Sequence, residues 1–106
     1  MAQRPIRLNT TFYVDSALAD GFVEWVREVY VPSAVASGAL TDPMFTRLLT
    51  EVQPGAEGFA VQATAPSVEV ANSWYEGEGE RLRVEISERY GERFLYFTTL
   101  MEIVGL

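Results

Sequence analysis

The chain has 106 residues, 48% hydrophobic and 22% charged, and fifteen acidic side chains against eight basic ones leave a net charge of −7. That balance fits one folded domain over residues 1–106 and excludes a disordered chain, and the acidic excess excludes a phosphate-binding surface for nucleic acid or anionic membrane. Cys and His are both absent, which excludes disulfides, thiolate and imidazole metal sites and His-ligated haem, so neither a metal nor a cofactor is expected.

All eight basic residues are Arg. A GC-rich genome gives that bias by codon usage alone, and an acidic chain without Lys also suits a salt-rich cytoplasm. Met1 to Arg7 carries no apolar segment of the secretory kind. No apolar run reaches the roughly 18–20 residues that cross a bilayer, so the expected location is the cytoplasm.

Along the chain, Ile6, Leu8, Thr10, Phe12 and Val14 alternate with Arg7, Asn9, Thr11 and Tyr13, the period of a strand. Asp15 follows as a helix N-cap. Leu18, Phe22, Val26 and Val29 then recur at helical spacing, flanked by Trp25 and Tyr30. Pro32 ends or kinks this helix, with a short continuation through Ala34–Ser37 and Gly38 as its stop. Thr41-Asp42-Pro43 reads as a turn, and Met44 to Val52 as a second strand with Met44, Thr46, Leu48, Thr50 and Val52 opposite Phe45, Arg47, Leu49 and Glu51. Gln53-Pro54-Gly55 is a turn signal, and Gly58 to Ala65 a third strand, so strands two and three form a hairpin. Ser67 caps a second helix carrying Val68, Ala71, Tyr75, Leu82 and Ile86, which Gly91 ends; Arg93 to Val104 is a long aromatic strand.

The order β-α-β-β-α-β predicts an α+β, ferredoxin-like sandwich with a four-stranded antiparallel sheet and two helices on one face. Its open face collects Tyr13, Phe45, Leu49 and one alternating set of the last strand, either that of Phe94, Tyr96 and Leu100 or its opposite. An apolar patch of that kind is seldom left in water. Pairing with a second copy through that face buries it and gives a homodimeric α/β barrel, with Phe94, Tyr96, Phe45 and Leu49 as expected contacts.

The run Asn9-Thr10-Thr11-Phe12-Tyr13-Val14, then Glu24-Trp25-Val26 and Tyr30-Val31-Pro32, the Tyr90-Gly91-Glu92 helix exit and the closing Phe97-Thr98-Thr99-Leu100-Met101-Glu102 carry a resemblance over nearly the whole length. The chain resembles a bacterial family of small proteins of about this length, known as a domain of unknown function. The resemblance implies the dimeric α/β-barrel architecture and brings no activity with it. Many members of that family have a His near the stretch corresponding to Glu76–Glu80; this chain has none, so a role for that His does not carry over.

Three groups remain as candidate sites. Glu76 and Glu80 stand one turn apart and could hold a hard cation, but Gly77 and Gly79 loosen that backbone, and a solvated helix face is the expectation. Trp25 and Trp74 could stack on a planar ligand, although residues of that size beside apolar stripes ordinarily pack at the edge of a core. The polar strand residues Arg7, Asn9, Thr11, Tyr13, Arg47, Glu51, Gln62 and Thr64 could share the open face. Inside a dimer they would line a pocket with aromatic walls, or form the polar bonds of the interface. The expected function is therefore a homodimeric module that binds a small molecule or serves interaction alone. The alternative is a cofactor-independent enzyme, monooxygenase-like or isomerase-like, in which Asn and Arg polarise a carbonyl and Tyr moves a proton.

Overall fold

The computed structural model describes residues 4–50 and 54–105. Strand β1 (Ile6–Asp15) buries Ile6, Leu8, Thr10, Phe12 and Val14 on one face, as its alternation requires. It lies inside a four-stranded sheet of order β2-β3-β1-β4, with β2 (Thr41–Arg47), β3 (Ala56–Ala65) and β4 (Phe94–Glu102), every pairing antiparallel. This is the ferredoxin-like sandwich, both helical crossovers covering the face that holds Phe12.

The first crossover opens on Asp15, whose Oδ1 accepts from the Ala17 amide at 2.8 Å. A 3₁₀ turn at Ser16–Leu18 leads into helix α1 (Ala19–Trp25), a π turn at Val26–Tyr30 and helix α2 (Val31–Ala36). Pro32 lies in the first turn of α2, directly after the π turn; it does not end the helical run. The π turn widens the spiral by one residue, so Tyr30 and Ala34 are buried while Val29 is 41% exposed. An unbroken helical period would have turned Val29 inward. Helix α3 (Val68–Trp74) starts at Ser67, whose Oγ accepts from the Val70 amide at 3.2 Å. A second π turn, Tyr75–Gly79, kinks the chain at Gly77 before helix α4 (Glu80–Tyr90). Gly91, at φ 59°, ends α4 in a backbone region that glycine enters freely.

Strand boundaries depart from the sequence reading. Thr41-Asp42-Pro43 belongs to β2, with an irregular register between Thr41 and Met44 and Asp42 at φ 50°. β2 stops at Arg47, so Leu49 lies beyond the sheet and is 95% exposed instead of joining its open face. β3 starts two residues earlier than predicted, at Ala56, and β4 ends at Glu102. Glu51, Val52 and Gln53, read as strand end and turn, lie outside the described residues.

Register also reassigns the faces. Tyr96 stands opposite Phe12, Phe94 opposite Val14, and Phe45 opposite Val61. Directly paired residues share a face, so Phe94, Tyr96 and Phe45 pack under the helices, not on the open side. A one-residue difference in phase moves a whole strand's side chains across the sheet. The open face carries Leu95, Phe97, Met101, Met44 and Thr46 beside Tyr13. Its large apolar members Leu95, Phe97 and Met44 are each about half exposed.

The core is a nest of rings. Phe12 lies 5.1 Å from Phe22, 5.8 Å edge-on from Tyr30 and 5.7 Å from Phe94, and Trp25 stacks on Tyr30 at 4.9 Å. Among the described residues, no helix is long and apolar enough to cross a membrane.

Candidate functional site

Six of the eight polar strand candidates share the open face. Arg7 is anchored there: its Nε donates to Gln62 Oε1 at 3.1 Å and its Nη1 to Thr64 Oγ1 and to the Asp42 carbonyl, both at 2.8 Å. Asn9 Nδ2 donates to Thr11 Oγ1 at 3.3 Å, while Asn9 Oδ1 is buried without a partner among the described residues. The Tyr13 ring lies 6.1 Å from Phe97 and close over Gly58, where a Cβ would come within 3.3 Å of its Cε1. Arg47 does not join them. Its register with Phe59 puts it on the helix side, paired with Glu57 at 3.2 Å and over the Phe59 ring at 5.2 Å. Glu51 is outside the described residues. The six form a sheet surface with its hydrogen bonds largely made, not an enclosed pocket.

A second polar group lies under the helices, where composition gave no hint of one. Arg83, on the stripe of α4 that includes Leu82 and Ile86, is only 2% exposed. Its Nη1 donates to the Tyr30 hydroxyl at 2.8 Å and its Nη2 to the Tyr75 carbonyl at 2.6 Å. The Tyr75 ring lies 3.6 Å from its Cζ, and the Tyr96 ring 5.6 Å. The Tyr75 hydroxyl pairs with Thr98 Oγ1, which in turn lies 3.1 Å from Thr10 Oγ1. Trp74 Nε1 donates to Ser33 Oγ at 3.3 Å, tying the two crossovers together. Gly79 permits this packing: a Cβ there would stand 2.9 Å from Arg83 Nη1 and from the Trp74 ring.

Burial pushes the Tyr30 hydroxyl up to about 12, against the opposing pull of Arg83, so it remains a neutral donor at physiological pH. Burial also works against the charge of Arg83, but the neighbouring Tyr30, Tyr75 and Tyr96 side chains together carry its pKa above the ordinary value. Arg83 Nε is buried with no hydrogen-bond partner among the described residues. Among the described residues no carboxylate stands within ion-pair distance of Arg83. A crevice beside this group is lined by Leu8, Thr10, Tyr30, Ala34, Leu40 and Trp74, and has about 20 Å³ of free volume.

Arg83, Tyr30, Tyr75, Thr10 and Thr98 were not singled out from sequence. A signal existed for one: Gly79, Leu82, Arg83 and Ile86 recur at helical spacing, placing a charge within an apolar stripe. Trp25 and Trp74 are in the core, 9% and 5% exposed. Glu76 and Glu80 are exposed at either end of the π turn, and among the described residues no three Asp, Glu, Cys or His side chains gather as a metal site.

Comparison of structures shows the same fold in proteins of low identity. A conserved protein of unknown function from Bacteroides thetaiotaomicron superposes with a TM-score of 0.71 at 17% identity, over 95% of this chain and 99% of that one. A dimeric ferredoxin-like protein from an uncultured marine organism gives 0.70 at 11% identity, over 98% and 99%. Hydroxynitrile lyase from Passiflora edulis gives 0.65 at 13% identity, again over 98% and 99%. No curated protein sequence matches this chain. Residues 6–104 match the family described as "Domain of unknown function (DUF4286)", a span that takes in all four strands and both crossovers, and the chain belongs to that family.

Proposed function

We propose that this protein binds a small organic molecule in the crevice between its helices and its sheet, as a homodimer joined through the open sheet faces. The observation that carries the binding reading is the pair of π turns. Both crossovers break their α-helical geometry beside the crevice: the first break ends on Tyr30 and the second begins directly after Trp74, and both of these residues line the crevice. π turns inside helices recur at functional sites because they cost helical regularity. Apolar walls with a few converging donors are also how small-molecule sites are built.

The closed crevice has room for about one water, so a ligand enters by parting the helical layer from the sheet near Ala34 and Trp74. The dimer reading is supported by the half-exposed Leu95, Phe97 and Met44 on one flat surface and by the dimeric ferredoxin-like relative. In such a pair, Arg7, Asn9, Thr11, Tyr13, Gln62 and Thr64 face the partner copy, and Asn9 Oδ1 finds its donor there. A catalytic version is favoured by the Tyr30 hydroxyl in the crevice wall, a donor held by Arg83 and able to polarise a carbonyl without a cofactor.

The chain has two Trp, both in the helical layer, so entry of a ligand is read directly from their emission. A metabolite library screened by tryptophan fluorescence and thermal shift should give compounds that alter emission and raise the Tm together, with the emission change lost in Trp74→Phe. A library that moves neither signal counts against the crevice.

A further inference from the structure

Outside the crevice, the topology brings two like charges to one place. Arg27 stands on the first crossover, four residues from Val23 on one side and from Val31 on the other, and Arg47 closes the edge strand β2. Both line a hollow of about 130 Å³, with Val23, Thr46 and Phe59 in its walls. Arg27 and Phe45 also line a second hollow of about 270 Å³, walled by Val31 and Pro43. The two hollows share Arg27 and Phe45, so they run together as one groove where the first crossover meets β2. None of the residues that line the groove lines the crevice.

A chain of net charge −7 has carboxylates enough to neutralise each of its cations. Arg47 has Glu57 at 3.2 Å, and its guanidinium lies over the Phe59 ring in the groove wall. Arg27 has none: Glu24 and Glu28 are its near neighbours in sequence, yet among the described residues no carboxylate is within ion-pair distance of it. Two guanidiniums and one carboxylate leave the narrow end with one unmatched positive charge. A monoanion balances that charge, and a carboxylate matches the planar fork of a guanidinium. The wide end suits an apolar body, because Val31, Pro43 and Phe45 offer it hydrocarbon surface. An extended peptide fits less well. Pro43 has no N–H to donate along the free edge of β2, and Asp42, at φ 50°, interrupts the regular ladder. We infer that the groove binds a small apolar monocarboxylate, its head at Arg27 and Arg47 and its chain along Val31 and Phe45. This site is independent of the crevice.

Hexanoate, its neutral isostere hexanamide, and acetate, which has the head without the chain, test each part of the claim. Each is titrated into the full chain at ionic strength matched with sodium chloride, following the methyl resonances of Val23 and Val31 and the indole resonance of Trp74. Hexanoate should shift both valines saturably with Trp74 unmoved, at an affinity about fivefold above that of hexanamide, the upper range for an ion pair in contact with water. Acetate should bind more weakly than hexanoate. Arg27 is exposed, so Arg27→Gln should keep the wild-type Tm and bring hexanoate down to the affinity of hexanamide. Equal affinities for hexanoate and hexanamide, or a hexanoate affinity unchanged in Arg27→Gln, would overturn the acid. Acetate binding as tightly as hexanoate would overturn the apolar body and leave a simple anion site. Movement of Trp74 with both valines silent would place the acid in the crevice and overturn the groove, and silence at all three resonances would overturn it as well.

Discussion

Tyr30 ties three parts of the molecule through one oxygen and one ring: it stacks on Trp25, meets Phe12 edge-on and takes a hydrogen bond from Arg83. Tyr30→Phe keeps the ring and strands the Arg83 Nη1 donor in the interior, so chemical denaturation should show a loss of about 1–3 kcal/mol. A change within a few tenths would mean that the guanidinium finds another acceptor. The same hydroxyl sets an alkaline limit. Its proton is held up to about 12 in the folded chain, against 10 for an ordinary tyrosine hydroxyl in water, so between those values the unfolded chain has released a proton that the native one retains. Stability contributed by Tyr30 is therefore complete below pH 10 and falls as pH rises towards 12, by an amount on the order of 2–3 kcal/mol. A spectrophotometric titration of wild type against Tyr30→Phe should show one phenol that ionises near 12 missing from the variant. At the acid end, the Arg93 side-chain bond, with the Ala17 amide, holds the Asp15 carboxyl below the usual range. Its contribution is present at neutral pH and is lost as pH falls through that lowered value.

At the scale of elements, the second crossover depends on how closely its π turn approaches its own side chains. Gly79 is buried, and a methyl group there meets the Arg83 guanidinium and the Trp74 ring at once. Elsewhere in a helix Gly→Ala stabilises by about 0.5–1 kcal/mol. Here Gly79→Ala should destabilise, and the indole resonance of Trp74 should shift as the ring is displaced. A Tm equal to or above wild type would show that Arg83 swings clear without cost. In the first crossover the π turn rephases the stripe so that Tyr30, not Val29, reaches the core. Val29→Ala should accordingly change stability by less than about 0.5 kcal/mol, whereas fully buried Phe12→Ala should cost about 3–5 kcal/mol.

Over the whole molecule, charge and the open face act against each other. The proposed face-to-face association would bring together two chains of net charge −7 and bury Leu95, Phe97 and their neighbours. Light scattering at micromolar concentration should give the dimer mass, and Phe97→Asp, which adds a negative charge to the open face of each copy, should give the monomer with its far-UV spectrum unchanged. A monomeric wild type would sink the pairing. Salt should help both folding and association, because the Debye length shrinks from about 30 Å at 0.01 M to about 3 Å at 1 M. The ion pairs that salt weakens are exposed, such as Arg4–Glu102 and Arg81–Glu78, and pairs of that kind contribute about 0.2–1 kcal/mol each. The Tm should therefore rise from low salt to about 1 M sodium chloride, and further with an excluded anion such as sulfate. A flat or falling series would show local pairs outweighing net repulsion.

Local chemistry made much of this molecule legible in its sequence. The Ile6–Val14 alternation, the Asp15 and Ser67 caps and the Gly91 stop depend on neighbours within a few residues, and each stands where the residues placed it; strands two and three pair as expected but with other bounds. Which face Phe45, Phe94 and Tyr96 occupy depended on register between strands up to about ninety residues apart, and in those strands both alternating sets are apolar enough to be buried. Arg47 crossed the sheet for the same reason. The π turns were hidden because a single extra residue per turn leaves no compositional mark, and Tyr30 replaced Val29 through them. The Arg83 group lay furthest from view: its partners come from α4, both π turns, β1 and β4. A charge inside an apolar stripe acquires a meaning only when packing shows that neither water nor a carboxylate reaches it.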